Sequence, residues 1–322
     1  MTTDTPASTT DQPGFLHQGC LYGSDDEFLA AAVPFVTGGL AGGEAVLAAT
    51  TSANLDLLRD ALGQRAHDLD FAEAAYFGRR PPQRVAAFDR YLKAHPTSAG
   101  RVRILAESAW VGRSEPEIRA WKQMEARLNL IFADTRIWMI CPYDTRILRP
   151  EILADAGRTH PSWVIGGDTL PSAVYADPAA FAAGLDGPPL PQPPAAAAEL
   201  TFAGDLAGLR RFVAGAAAAH GLTGDHAALF VIAAAEAAAY ICQDAKATVA
   251  IWDRPGAVVC DISQPAGGFA DPLPGWWPPE PERPRADDGL WLARQVCERV
   301  ETRCADGGAT IRLHAATRHA LA

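Results

Sequence analysis

The sequence has few cysteines and an unfavourable charge for binding nucleic acids. Its six cysteines stand singly and never form a C-x-x-C pair: Cys20, Cys141, Cys242, Cys260, Cys297 and Cys304. In a chain of 322 residues, this spacing indicates reduced thiols and argues against a disulfide scaffold. The chain has 28 Lys and Arg against 38 Asp and Glu, a net charge of −10. Nucleic-acid binding depends on cationic contacts to phosphates, so it is not expected here.

Long apolar runs are also missing. The Ala-rich runs at 214–219 and 227–239 contain or adjoin His or Glu, and both are shorter than a membrane span. The first residues are polar and acidic and lack the apolar core of a signal peptide. We expect residues 1–14 to form a disordered tail. A cytoplasmic protein without a membrane partner is therefore predicted.

The glycine motifs of common nucleotide-binding folds do not occur. The pairs Gly38-Gly39 and Gly42-Gly43 lack the Lys-Ser/Thr that completes a Walker A loop, so they are interpreted as turn glycines. No G-x-G-x-x-G follows a predicted strand. Neither a P-loop nor a dinucleotide-binding fingerprint is predicted.

The order of predicted elements divides the chain into two domains. Strands alternate with helices over residues 15–185, which indicates an α/β fold with a parallel sheet covered on both faces. Residues 186–198 are rich in Pro and Ala and predict an extended, semi-rigid linker. Over residues 199–318, helices precede antiparallel strands, which indicates an α+β sandwich.

One strand of the first domain ends in charged and aromatic residues. Glu107, Trp110 and Arg113 follow an apolar strand and precede a helix whose start carries a capping-box pattern, Ser114 and Glu117. Ligands of parallel sheets bind outside the carboxyl ends of strands. Two interpretations stay open: Glu107 pairs with Arg113 under a packed Trp110, or the three residues take part in ligand sensing.

A second strand ends in Cys141, Tyr143 and Asp144. We expect this loop to lie beside the loop of Glu107 at one edge of the sheet. Replacing Glu107 by Gln is then expected to alter signalling more than stability.

His17 and Cys20 share the first predicted strand. Residues three apart on a strand point to opposite faces, so the two side chains do not converge on one metal ion. A core cysteine and a structural histidine are the favoured interpretation, and no metal ligand is expected. It stays open whether Cys20 borders a pocket with Cys141.

Glu236 interrupts the Ala-rich helix IAAAEAAAYICQD. A lone carboxylate among small apolar residues lies either on a solvated stripe or in a site. The solvated stripe is favoured, because Glu is rarely buried without a partner.

The first domain resembles a known sensory family. The segments HQGCLYGSDDEFLAAAVPFVTGGLAGGEAVLA, ESAWVGRSEPEIRAWKQMEARLNLIF and MICPYDTRILRPEILADAGRTHPSW resemble the MEDS sensory domain, first noted in methanogen and methylotroph regulators. The resemblance implies a RecA- or P-loop-like sheet without a Walker A loop, which senses a small molecule or a partner. The sensing residues expected on this basis are His17, Cys20, Glu107, Trp110, Arg113, Cys141, Tyr143 and Asp144.

The second domain resembles the small GHKL-type ATPase domain of anti-sigma-factor serine kinases. The resemblance extends from LTFAGDLAGLRRFVAGAAAAHGL to DDGLWLARQVCERVETRCADGGATIRLHA. The pair of domains resembles actinobacterial regulators of the RsbA-like type. Where the family has a Glu and, four residues later, a Mg²⁺-binding Asn, this chain has Glu236 and Tyr240. A phenol does not replace a hard amide oxygen as a Mg²⁺ ligand.

Other parts of the family's nucleotide site also differ. The strand exit that reads Asp-x-Gly-x-Gly in the family begins here with Gln264 and ends with Gly268. The later glycine-rich segment keeps only Gly289, preceded by Asp287 and Asp288, which place negative charge where phosphates would bind. The resemblance thus implies a degenerate groove.

The resulting hypothesis is a two-domain regulator with a pseudo-kinase unit. Its second domain is expected to need no cofactor and to bind a sigma factor or a STAS-type anti-anti-sigma protein. A loop with Trp276 and Trp277 is expected to fold over the vacated groove. The alternative is a working serine or histidine kinase that uses ATP and Mg²⁺ with Glu236 as its base. An enzyme using Glu107 or Cys141 ranks last, since no nucleophile–base pair is visible. A homodimer is left open.

Overall fold

The computed structural model describes residues 14–96, 100–187, 189–242, 246–305 and 307–317. Apart from Gly14, the expected disordered tail lies outside these residues. The chain divides into two compact units, one ending at Asp186 and the other beginning at Gly187. Each unit has its own sheet and its own core.

The first unit is an α/β structure built on a seven-stranded sheet. Its elements are β1 (Leu16–Tyr22), α1 (Asp25–Ala41), β2 (Ala45–Thr50), α2 (Ser52–Leu62), β3 (Asp70–Glu73), α3 (Pro81–Ala94), β4 (Val102–Ala106), α4 (Glu115–Ile131), β5 (Ile137–Asp144), α5 (Pro150–Thr159), β6 (Ser162–Ile165), β7 (Asp168–Pro171) and α6 (Pro178–Gly184). The strand order is β3-β2-β4-β5-β1-β6-β7. Neighbouring strands are parallel except β6 and β7, which form an antiparallel hairpin.

Short polar residues determine where the first unit's helices begin. The Ser24 side chain accepts a hydrogen bond from Glu27 N and caps α1, while Ser114 and Glu117 form the predicted capping box of α4. These bonds satisfy main-chain N–H groups that have no partner inside the helix. α1 continues through Pro34 without a break.

The hairpin of β6 and β7 extends the sheet beyond β1. The indole of Trp163 in β6 lies directly over Gly19 in β1, and a Cβ on Gly19 would overlap the ring. β1 can therefore pass beneath the indole only because residue 19 has no side chain. This contact fixes β6 against the strand that carries His17.

The second unit has a five-stranded antiparallel sheet. Its elements are β8 (Ala198–Phe202), α7 (Leu206–Ala219), α8 (Gly224–Ile241), β9 (Ala247–Arg254), β10 (Ala257–Gln264), α9 (Asp288–Val296), β11 (Arg299–Ala305) and β12 (Gly308–Ala316). The strand order is β11-β12-β10-β9-β8. The three helices contribute buried apolar side chains to the same core as the sheet, among them Leu209, Phe230, Ile251, Leu290 and Leu313. The protein is thus mixed α/β, with one mostly parallel and one antiparallel sheet.

The opposite face of the second sheet holds a buried ion pair. Arg312 donates from Nε and Nη2 to the two carboxylate oxygens of Asp261, at 2.5 and 2.6 Å. Arg312 also donates to the carbonyl of Pro191, at 2.6 Å, and its guanidinium lies over the Trp252 ring. Ala197 packs against the apolar cluster that contains Trp252. Part of the segment predicted to be a linker therefore lies on the second unit's own sheet.

Among the described residues, one helix is long and apolar enough to cross a membrane, judged by length and composition alone. It is α8, whose buried face includes Phe230, Ala234 and Ile241 in the core of the second unit. A core helix of this kind meets the same criteria as a membrane span.

Candidate functional site

The two strand ends singled out in the sequence lie next to each other. β4 and β5 are parallel neighbours, with Ile104 opposite Met139 and Leu105 opposite Ile140. Beyond the strands, the rings of Trp110 and Tyr143 stack with centroids 6.2 Å apart. The expected shared edge of the sheet is confirmed by this pairing.

Glu107 is held by a hydrogen-bond network that reaches toward β1 and β2. Its carboxylate accepts from Tyr22 Oη at 2.8 Å, from Asn54 Nδ2 at 2.9 Å, and from Thr50 Oγ1. All four side chains are buried. Arg84 donates to the Glu107 carbonyl at 2.7 Å. Burial and the neighbouring Glu107 carboxylate raise the pKa of Tyr22, so the phenol stays protonated and donates.

Arg113 does not pair with Glu107. It donates to the carbonyl of Ala109 and lies over the Trp121 ring at 4.2 Å, and Glu117 lies 3.9 Å away. The interpretation of a Glu107–Arg113 pair is therefore wrong. Arg113 instead holds the loop against the start of α4.

Asp144 also has a local partner. Arg146 donates to its two carboxylate oxygens at 2.9 and 2.8 Å and reaches Asp25 at 2.8 Å. The side-chain hydrogen bonds from Arg146 lower the pKa of Asp144. In this conformation Asp144 connects the end of β5 to the start of α1 and does not face the Trp110–Tyr143 stack.

The face of the sheet that carries Tyr143 also holds a buried cluster of four polar side chains: His17 on β1, Glu125 on α4, Cys141 on β5, and His160 directly after α5. Their four ligand-type atoms all lie within 4.8 Å of one another. We call these residues the four-residue cluster. It combines two residues that the sequence analysis named with two that it did not.

The separations within the cluster are short and even. Cys141 Sγ lies 3.4 Å from His17 Nε2 and 3.9 Å from Glu125 Oε2. Glu125 Oε2 lies 3.7 Å from His17 Nε2 and 3.8 Å from His160 Nε2. The two nitrogen–oxygen distances exceed the range of a hydrogen bond. Within the cluster, the Cys141 thiol is in hydrogen-bond range of His17 Nε2 and, at the long limit for sulfur, of Glu125 Oε2.

Neighbouring groups orient both imidazole rings. His17 Nδ1 lies 3.1 Å from Asn129 Oδ1, and Asn129 Nδ2 donates to the Thr159 carbonyl at 2.8 Å, so the amide oxygen faces His17. His160 Nδ1 lies 2.9 Å from the Ala156 carbonyl. A carbonyl oxygen can only accept, so Nδ1 of each ring carries the proton. Each Nε2 then presents a lone pair to the cluster.

The charges of the cluster are determined by burial and by mutual contacts. Burial alone would raise the pKa of Glu125, but His17, His160 and Ser108 more than offset it, and its pKa is lowered. Burial and the neighbouring His17 lower the pKa of His160 to about 3, so its ring is neutral at pH 7. Burial and the Glu125 carboxylate raise the pKa of the Cys141 thiol well above its usual range.

Little space remains beside the cluster. The cleft between α4, α5 and the end of β5 has no interior room for a water-sized sphere, and it is lined by residues that include Trp110, Glu125, Tyr143 and Ala156. Lys122 joins the two helices by an ion pair with Asp155, at 2.7 Å. The first unit is therefore closed around these side chains.

Cys20 does not border this cleft. It lies on the opposite face of β1, in the apolar cluster with Phe28 and Ile140. Burial, and then the nearby Glu27, raise the pKa of its thiol to about 11. The prediction of a core cysteine on the face opposite His17 is confirmed, and the alternative of a pocket shared by Cys20 and Cys141 is wrong.

In the second unit, α9 covers the helix position of Glu236. A Cβ on Gly289 in α9 would overlap the Glu236 side chain. Glu236 is half-buried where α8 and α9 pack together, so it does not lie on a fully solvated stripe. Tyr240, one turn later, stacks on Phe269 with centroids 6.2 Å apart, and burial and the nearby Asp287 raise its pKa to about 12.

The acidic pair before α9 is used within the protein. Asp287 is buried and accepts from Gly275 N at 2.7 Å and from Arg285 Nε at 3.0 Å. Asp288 accepts from Arg285 N at 2.9 Å. These bonds hold the Pro-rich loop against the start of α9.

Trp276 and Trp277 lie in the same loop. Arg294 of α9 lies 5.1 Å from the Trp276 ring, and Arg285 lies 5.4 Å from the Trp277 ring. Gln264 is the last residue of β10. Gly268 follows it and lies close to Cys304, because a Cβ built on Gly268 would contact Cys304 Sγ. The loop packs on α9, which itself packs on α8.

The sequence analysis missed Glu125 and His160. Glu125 falls between Trp121 and Leu128 at helical spacing, so it interrupts the apolar stripe of α4. A carboxylate at such a position needs a buried partner, so the pattern marks Glu125 as a candidate site residue. His160 precedes Pro161 between two elements, and nothing in its local pattern distinguishes it.

One comparison with known proteins concerns the first unit. Residues 16–161 match the family model described as MEDS, the MEthanogen/methylotroph, DcmR Sensory domain. The match runs from β1 to just beyond α5 and so includes the whole four-residue cluster. It supports a sensory domain in the first unit and a signalling role, and it does not extend to the second unit. No curated protein matches the chain.

Proposed function

We propose that the protein is a cytoplasmic signalling regulator. Its first unit senses a small molecule or a partner and thereby controls protein binding by its second unit. The observation that carries the proposal is the match of residues 16–161 to a sensory-domain model. The closed strand-end site within the matched residues is where such a signal would act.

The structure of that site suggests how a signal would be transmitted. The cleft is small, so a ligand that enters it must separate α5 from α4. The Lys122–Asp155 ion pair and the cluster contacts of Glu125 and His160 join these elements. A ligand that binds the separated form better than the closed form would shift the domain between two states.

The partner is proposed from the resemblance of the second unit to anti-sigma-factor kinases. That resemblance favours a sigma factor or a STAS-type anti-anti-sigma protein. A binding role without phosphoryl transfer is supported by two contacts. Gly289 packs on Glu236, and Phe269 stacks on Tyr240. Both contacts use the positions at which the family holds its base and its Mg²⁺ ligand.

Affinity capture with the full chain tests the proposal. We expect a sigma factor or an anti-anti-sigma protein to be enriched from the native host and identified by quantitative mass spectrometry. The control is the chain that ends at Asp186, which keeps the first sheet and lacks the second unit. Enrichment of neither protein class by the full chain, or equal enrichment by the control, would contradict the proposed function.

A further inference from the structure

The four-residue cluster has the composition and geometry of a metal site. We propose that His17 Nε2, Glu125 Oε2, Cys141 Sγ and His160 Nε2 bind one divalent transition-metal ion of the zinc class. The proposal departs from the sequence-based expectation of no metal. That expectation considered only His17 and Cys20, which do lie on opposite faces of β1.

The distances suit tetrahedral coordination. Zinc–ligand bonds measure about 2.0–2.3 Å, so the four ligand atoms of a tetrahedral site lie roughly 3.3–3.8 Å apart. Four of the six separations among these atoms run from 3.4 to 3.9 Å, and the other two are at most 4.8 Å. Only small side-chain movements would be needed to centre an ion among them.

The surrounding groups direct the lone pairs inward. His17 and His160 each donate Nδ1–H outward, to Asn129 and to the Ala156 carbonyl. Metal-binding histidines characteristically donate their second N–H to such acceptors. Among the described residues, His160 Nε2 is buried and has no hydrogen-bond partner. A buried acceptor of this kind destabilises the folded protein when it stays unsatisfied.

The charges also balance. A thiolate and a carboxylate offset the two positive charges of the ion, and two neutral imidazoles complete a neutral site, as complete burial requires. Without a cation, the Glu125 carboxylate has one short hydrogen bond, from Ser108 at 2.9 Å. The nearby buried Arg84 directs its described hydrogen bonds to main-chain carbonyls and not to Glu125.

The donor set selects the kind of metal. A thiolate and two imidazoles favour zinc or a neighbouring late transition metal, whereas Mg²⁺ and Ca²⁺ require oxygen ligands. Four protein ligands without an open position indicate a structural and not a catalytic ion. The ion would tie β1, α4 and β5 to the end of α5. This site stands independently of the proposed partner, because its test involves no second protein.

Metal analysis of the full chain is the first test. We expect one zinc-class ion per chain after purification without chelator, measured by elemental mass spectrometry. Reconstitution with Co²⁺ should give thiolate-to-cobalt charge transfer and the strong visible bands of tetrahedral Co²⁺. In Cys141→Ser the charge-transfer band should disappear. The matched control Cys20→Ser, a buried thiol on the other face of β1, should keep it.

A second variant tests the site even if Cys141→Ser fails to fold. Asn129→Ala removes the acceptor that orients His17 and should weaken metal affinity about 10- to 100-fold, as such outer partners usually do. Wild-type protein that binds neither zinc nor Co²⁺, with the same melting temperature with and without zinc, would overturn the proposal. Loss of the cobalt–thiolate band in Cys20→Ser but not in Cys141→Ser would overturn it too.

Discussion

Replacing Glu107 by Ala is expected to destabilise the first unit by about 3–5 kcal/mol. The buried carboxylate accepts hydrogen bonds from Tyr22, Thr50 and Asn54. Hydrogen bonds to a charged group contribute about 1.5–3 kcal/mol each, and donors left unsatisfied in the interior add a penalty. The loss is measurable as a lower midpoint of urea unfolding. Hydrogen exchange of peptides from the first unit follows this unfolding.

The matched control is Glu115→Gln. Glu115 is exposed and pairs with Arg149 at the surface, so its loss should change stability little. Glu107→Gln should lie between the two, because an amide nitrogen would face at least one of the three donors. Glu107→Gln is thus expected to lower stability and not to change signalling alone. Unfolding midpoints of Glu107→Ala and Glu115→Gln that coincide would contradict the network's role.

Replacing Asp261 by Ala is expected to cost the second unit about 3–5 kcal/mol. Arg312 is 2% exposed, and Asp261 supplies both oxygens for its guanidinium. Asp261 is buried as well, and burial raises its pKa against the opposing effect of Arg312. Removing one partner of a buried ion pair leaves an uncompensated charge, and this is the cause of the large cost.

Two further variants make the test specific. Asp253→Ala removes an exposed carboxylate beside His220 in the same unit, and surface pairs of this kind contribute about 0–1 kcal/mol. The double substitution Asp261→Leu with Arg312→Met removes both charges and should recover most of the loss. Hydrogen exchange of β10 and β12 gives the readout. A double variant as unstable as Asp261→Ala would show that packing, and not the unpaired charge, causes the loss.

The element order of both units follows from local patterns in the sequence. α7 begins after Asp205, whose side chain caps it, and α9 begins after Asp287. These helices have clear apolar periodicity and polar start residues. The β6–β7 hairpin is harder to recognise from local patterns, because its strands are only four residues each.

The site was only partly predictable because its contacts depend on strand order. The face of His17 and the proximity of Trp110 to Tyr143 follow from strand alternation and from parallel pairing. The hydrogen-bond partners of Glu107 cannot be predicted in this way, since Thr50 becomes its neighbour only when β2 lies beside β4. His160 likewise joins the cluster only because of where α5 ends, and no local sequence pattern predicts that position.

The most direct test of the central claim, a second unit that acts by binding protein and not by phosphoryl transfer, is a calorimetric titration of ATP with Mg²⁺ into the full chain. We expect no saturable heat, because under the proposed resemblance Tyr240 replaces the Mg²⁺ ligand, and Gly289 of α9 packs on Glu236. Tryptophan fluorescence should stay unchanged, although Trp276 packs against α9. A dissociation constant in the micromolar range, which corresponds to roughly 8 kcal/mol of binding, would contradict it.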